Sequence, residues 1–203
     1  MAEYTIKDNL LFKDGKQVPF KKSPNVGGIM KPTLLVMHYT GALATSSAIN
    51  TLTNPAYKVS AHLVLSPEGE VTQLVPFNKV AWHAGVSSWK KKSGANNFSI
   101  GIEMVNAGLL GRDGKGGYYA RLENKPVPSD RVALAKHKNG GGEEPWHTYP
   151  AEQITAAIEI AQAICETYGI KEIAGHDDIA PKRKTDPGPA WPMASFVSRV
   201  LGR

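Results

Sequence analysis

Side chains able to do chemistry together fall on one short segment near the C-terminus, Gly175-His176-Asp177-Asp178-Ile179-Ala180-Pro181-Lys182-Arg183-Lys184-Thr185-Asp186-Pro187-Gly188-Pro189. An imidazole nitrogen and a carboxylate oxygen are common donors to a borderline metal such as Zn2+, and His176 and Asp186 supply one of each. Lys184 lies two residues before Asp186, so in an extended chain both side chains point to the same face. A metal ligand and a fixed cation would then share one cavity. Pro and Gly keep the segment out of regular helix or sheet, and it reads as a catalytic metal loop.

Two apolar runs must position the rest. Leu34-Leu35-Val36-Met37-His38-Tyr39-Thr40 is a continuous apolar stretch of the kind that forms a strand buried on both faces. His38 falls where that strand emerges. Ser99-Ile100-Gly101-Ile102-Glu103-Met104-Val105 is a second such run, interrupted by one acid. A carboxylate in a buried strand is costly without a partner, so Glu103 requires a metal, a cation or a bound water beside it. The minimal constellation is His38, His176 and Asp186 on a metal, with Glu103 and Lys184 next to it.

Further motifs run in the same order. They are Ser60-Ala61-His62, Ala81-Trp82-His83-Ala84-Gly85, Ile100-Gly101-Ile102-Glu103, and Gly175-His176 through Lys184-Thr185-Asp186-Pro187-Gly188. Together with His38 they resemble the zinc-dependent N-acetylmuramoyl-L-alanine amidases of the type 2 amidase and peptidoglycan recognition protein family. The likeness extends from about Pro32 to Pro192. It implies Zn2+ as cofactor, held by His38, His176 and Asp186, with Glu103 and Lys184 as the catalytic pair. It implies hydrolysis of the amide between N-acetylmuramic acid and L-alanine in peptidoglycan or muropeptides. Glu103 would be the general base and Lys184 the stabiliser of the oxyanion, while His83, Trp82 and Tyr39 contact substrate. Some relatives carry Cys as third ligand and Tyr before the middle-strand His; here Asp186 and Ala61 stand there, as in the Glu-dependent, Asp-ligated branch.

Size and charge restrict the alternatives. The 203 residues suit one catalytic domain, with 1–30 as an N-terminal extension and 107–149 as an insertion, and 41% hydrophobic content is enough for a real core. With 24 basic and 18 acidic side chains the formal charge is +6, which draws the protein toward anionic polymers. Stem-peptide carboxylates and nucleic acid satisfy that equally, but no basic helix stripe or RNA-binding aromatic signature is present. No nucleic-acid partner is therefore expected, and the protein is expected to act as a monomer. A non-catalytic peptidoglycan-binding module is the main rival; such relatives typically lack a metal ligand. A zinc hydrolase of another amide is a second. The lone Cys165 excludes an internal disulfide and is expected in the core. No basic n-region with an apolar stretch opens the chain, and no run approaches the roughly 20 apolar residues of a membrane span. The expected location is the cytoplasm as synthesised, with no membrane partner and with access to wall by lysis or non-standard export.

The periodicities predict an α/β fold, a central mixed sheet flanked by helices with a long inserted loop. Asp14-Gly15 marks a hairpin in 10–18, Pro67-Glu68-Gly69 another between 59–66 and 70–75, and strands are expected at 34–38, 99–105 and 170–174. Helices are expected at 45–52, 151–168 and 192–201. The longest carries Ile154, Ala157, Ile158, Ala161, Ile164, Cys165 and Tyr168 on one face. The Gly-rich 107–149 stretch has no clear period; a hairpin of 118–122 with 131–135 is expected in it, and it is expected to border the substrate groove. Among the remaining histidines, His62 is expected to be structural or to support a ligand, and His83 to line the cleft or support the metal. His147 is expected to pack near a helix start, and His137, between Lys136 and Lys138, to be solvated.

Overall fold

The computed structural model describes residues 3–202. Its centre is a five-stranded sheet in the order Ile173–Gly175, Leu34–Tyr39, Ser99–Met104, Leu63–Leu65, Val71–Gln73. The first four run parallel and the last antiparallel, so the expected mixed sheet is found. Strict alternation sorts the two long strands. Leu35, Met37, Ile100, Ile102 and Met104 face the helix Ala151–Tyr168 in the main core, while His38 and Glu103 belong to the other face.

That helix lays Ala157, Ile158, Ala161, Ile164 and Cys165 against the sheet and stops at Gly169, whose φ of 65° lets its N–H return to Cys165 O. The buried Gln153 amide donates to Leu65 O and Val105 O, tying the helix start to the ends of two strands. The C-terminal helix Met193–Leu201 packs on it through Phe196 and Val200.

The N-terminal segment is a three-stranded meander, Tyr4–Lys7, Leu10–Lys13 and Lys16–Gln17, turning at Asp14-Gly15 as expected. Leu11 is fully buried in the main core. The second hairpin is shorter than expected, Leu63–Leu65 with Val71–Gln73, because Ser60 leaves the ladder to bond Trp82 O. Two expectations need correction. The segment expected to be a metal loop is not all loop: His176–Ile179 forms a helical turn, with the Asp178 carboxylate accepting the Gly175 N–H at 2.7 Å. Within residues 107–149, 118–122 does not pair with 131–135. Instead Leu110–Arg112, Tyr118–Ala120 and Lys125–Val127 form one antiparallel sheet, and Val132–Lys136 pairs with Glu143–His147. Asn124, at φ 52°, makes the tight local turn that captures the nearer strand. No helix among the described residues is long and apolar enough to cross a membrane.

Candidate metal centre

Parallel register brings the chemistry to one edge. Glu103 pairs with His38, and Gly175 pairs with Met37, so His176 follows at the level of His38. The carboxyl ends of adjacent parallel strands are where open α/β sheets hold ligands. Asp186 returns to this edge because the Asp177 N–H donates to its carbonyl at 2.8 Å. The result is a buried triangle: His38 Nδ1 to His176 Nδ1 3.0 Å, and each Nδ1 to Asp186 Oδ2 2.9 Å.

The outer nitrogens decide what this triangle is for. His176 Nε2–H donates to Ala84 O at 3.1 Å, which leaves Nδ1 as a lone pair. His38 Nε2 lies 2.9 Å from His83 Nδ1, and His83 Nε2 faces Ser99 O. With N–H groups donated outward along that chain, His38 Nδ1 is a lone pair too. Burial pushes His38 down to about 4 and His83 well below its ordinary value, so both rings are neutral at pH 7. Two imidazole lone pairs and a carboxylate oxygen facing one another within 3 Å repel unless a cation sits among them. The donor set, with each outer nitrogen oriented by an acceptor, is the form in which such residues bind a divalent metal.

His83 reaches this position because Gly101 has no side chain; a Cβ there would lie 2.6 Å from the imidazole. His83 is 8% exposed; it contacts His38 and lines the cavity beside it. His62 is structural: its Nδ1 accepts the Gly101 N–H at 3.0 Å and its Nε2–H donates to Lys79 O. His147 accepts the Ala107 N–H just before the long helix. His137 is the correction. It is buried, its Nε2 lies 3.1 Å from Asp177 Oδ2, and its ring stacks on Trp146.

A cavity of about 520 Å3 opens over the triangle, with Tyr39, Trp82, Glu103 and Lys184 in its walls. Lys184 thus shares a cavity with Asp186, as expected from their spacing. Glu103 Oε2 is buried with no hydrogen-bond partner among the described residues. Burial first, then the Asp186 charge, raise Glu103 well above its ordinary value, while Lys184 pulls it down. Tyr39 bonds Thr185 Oγ1 through its hydroxyl at 2.8 Å, so it braces the far side of the metal segment as well as lining the cleft.

Arg121, Leu122 and Arg183 also line this cavity and were not singled out in the sequence. Leu122, 76% exposed, leans over Gly41, where a Cβ would come within 2.8 Å of it. Arg121 is fixed by Nε–H donation to Leu110 O, and Arg183 by Nη2 donation to Ala84 O and Val86 O. Their only signal was charge in segments already placed beside the cleft.

Residues 29–189 match the family described as N-acetylmuramoyl-L-alanine amidase. The chain is 34% identical over 188 residues to the 1,6-anhydro-N-acetylmuramyl-L-alanine amidase AmpD of Escherichia coli K12, covering 84% of this chain and 82% of AmpD. It is 34% identical over 178 residues to the N-acetylmuramoyl-L-alanine amidase AmiD of the same organism, covering 83% of this chain and 53% of AmiD. The solved E. coli AmiD complex with the substrate anhydro-N-acetylmuramic acid-L-Ala-D-gamma-Glu-L-Lys superposes with a TM-score of 0.63 at 27% identity, covering 98% of this chain and 66% of that one. The matched span contains every residue of the triangle together with Glu103 and Lys184, and the chain belongs to the N-acetylmuramoyl-L-alanine amidases, a family of hydrolases.

Proposed function

We propose that this protein is a zinc enzyme that hydrolyses the amide between N-acetylmuramic acid and L-alanine, acting on peptidoglycan fragments of the anhydro-muropeptide class. One observation carries the zinc reading: the convergence of His38 Nδ1, His176 Nδ1 and Asp186 Oδ2 with both outer imidazole nitrogens already paired. These three residues would hold the ion, which supplies Lewis acidity toward a carbonyl oxygen and acidifies water.

The chain's own residues do the rest. Glu103, in register with His38 and raised in pKa by burial, takes a proton from the attacking water. It returns that proton to the alanine nitrogen as the C–N bond breaks, giving a free lactyl carboxyl and a free amine. A carboxyl raised toward the operating pH suits that two-way task. Lys184 faces the same cavity and stabilises the oxyanion of the tetrahedral intermediate. Tyr39 and Trp82 wall the same cavity and offer aromatic faces to a sugar, and the guanidinium groups of Arg121 and Arg183 complement the carboxylates of a stem peptide.

The test is mass spectrometry of products from a purified anhydro-muropeptide and from intact sacculi, with and without a zinc chelator. The expected product is the free stem peptide, lost on chelation and restored by Zn2+. Binding of the muropeptide with no cleavage under any metal condition would instead establish the non-catalytic alternative.

A further inference from the structure

The insertion does more than border the cleft. Its Val132–Lys136/Glu143–His147 hairpin reaches across the molecule and seizes the metal segment on both sides. At the tip, Lys138 Nζ lies 2.8 Å from Asp177 Oδ1 and 2.6 Å from Asp178 Oδ1. His137 Nε2 meets Asp177 Oδ2 at 3.1 Å, and Asn139 Nδ2 donates to Asp177 O at 2.8 Å. Farther down, the Trp146 ring covers Gly188 so closely that a Cβ there would come within 2.8 Å. Just beyond the hairpin, Tyr149 donates to Pro187 O at 2.8 Å.

Asp177 is the residue between these contacts and the metal. It follows His176 directly, and its N–H holds the Asp186 carbonyl. Its carboxylate is buried, a placement that is costly without charged partners, and the hairpin tip supplies them. We propose that His137 and Lys138 are positioning residues for the metal site: by fixing Asp177 they set the separation and orientation of His176 and Asp186. The inference rests on reading those two residues as zinc ligands. Residues that orient ligands from behind typically change metal affinity or activity 10–100-fold when removed.

The experiment measures zinc affinity by competition with a chromogenic chelator, alongside thermal unfolding of the metal-free protein, for the wild type and for His176→Ala, Lys138→Ala, His137→Phe and Lys138→Arg. His137→Phe keeps a ring to stack on Trp146 and removes the bond to Asp177. The expected result is zinc binding weakened about tenfold or more by Lys138→Ala and by His137→Phe, with metal-free unfolding close to wild type and affinity restored by Lys138→Arg. Zinc affinities within twofold of wild type in both variants would overturn the positioning role, as would a loss matched by general destabilisation of the metal-free fold. Zinc binding unchanged by His176→Ala would overturn something different, the ligand assignment on which the inference stands.

Discussion

The two faces of the same pair of strands carry opposite chemistry. On one, Leu35, Met37, Ile100, Ile102 and Met104 meet the Ala151–Tyr168 helix in a close-packed apolar layer. On the other, His38, Glu103, Ser99 and Gly101 meet His83 and the segment bearing His176 and Asp186, with three acceptor atoms aimed at one another and a buried carboxyl oxygen unpaired among the described residues. Only the period of two separates these environments. The apolar face supplies the rigidity that lets the other face hold groups which would otherwise move apart or take up protons.

The largest effects belong to the polar face. His176→Ala and Asp186→Ala are each expected to lose zinc, read by metal analysis of the purified protein, and to drop muropeptide hydrolysis to background. Next, Glu103→Gln should keep its metal and lose about 10²–10⁴ in turnover, and Lys184→Ala should keep it and lose about 10²–10³. A Glu103→Gln enzyme cleaving at the wild-type rate would remove Glu103 from the mechanism. The apolar face should behave in the reverse way. Ile164→Ala, at a fully buried helix position, should cost about 2–5 kcal/mol of stability, measured by denaturant unfolding, while zinc content and turnover per folded molecule stay at wild-type values.

The smallest effect runs against intuition. Glu103 is held above its ordinary value of 4.5, chiefly by burial, so the metal-free folded state keeps this proton to higher pH than the unfolded chain does. Below about pH 4.5 both states are protonated and the site carries no penalty. As pH rises through and past that value the unfolded state sheds the proton more readily, and folding stability falls. Metal-free Glu103→Gln should therefore unfold at a higher temperature than wild type near pH 7, with the gap closing toward pH 4. An equal gap at both pH values would mean that ionisation of Glu103 is not its cause.

Much of this was legible in the sequence because it is local. The run Leu34–Tyr39 and the stripe Ile158, Ala161, Ile164, Cys165 each declare an element within a few residues, and the glycine after Tyr168 marks the helix stop. The proposed donors were legible as residue types, His38 and His176 at strand ends and Asp186 in the segment after them, and the family resemblance joined them across the chain. What was not legible depends on partners distant in sequence. His137 reads as solvated beside Lys136 and Lys138; only the fold brings Asp177 to it. Its burial and the charge pairing of Lys138 therefore appeared together. The pairing of Tyr118–Ala120 was decided by a tight turn at Asn124, a conformation that composition does not announce. The support of His38 by His83 depends on the absent side chain of Gly101 on a neighbouring strand.

The most direct test of the central claim is a crystal structure of the zinc-loaded protein with anomalous data collected on both sides of the zinc edge. A single strong zinc peak bounded by His38 Nδ1, His176 Nδ1 and Asp186 Oδ2 is the predicted result. A zinc peak elsewhere, or those three atoms turned away from one another around an empty centre, would contradict it.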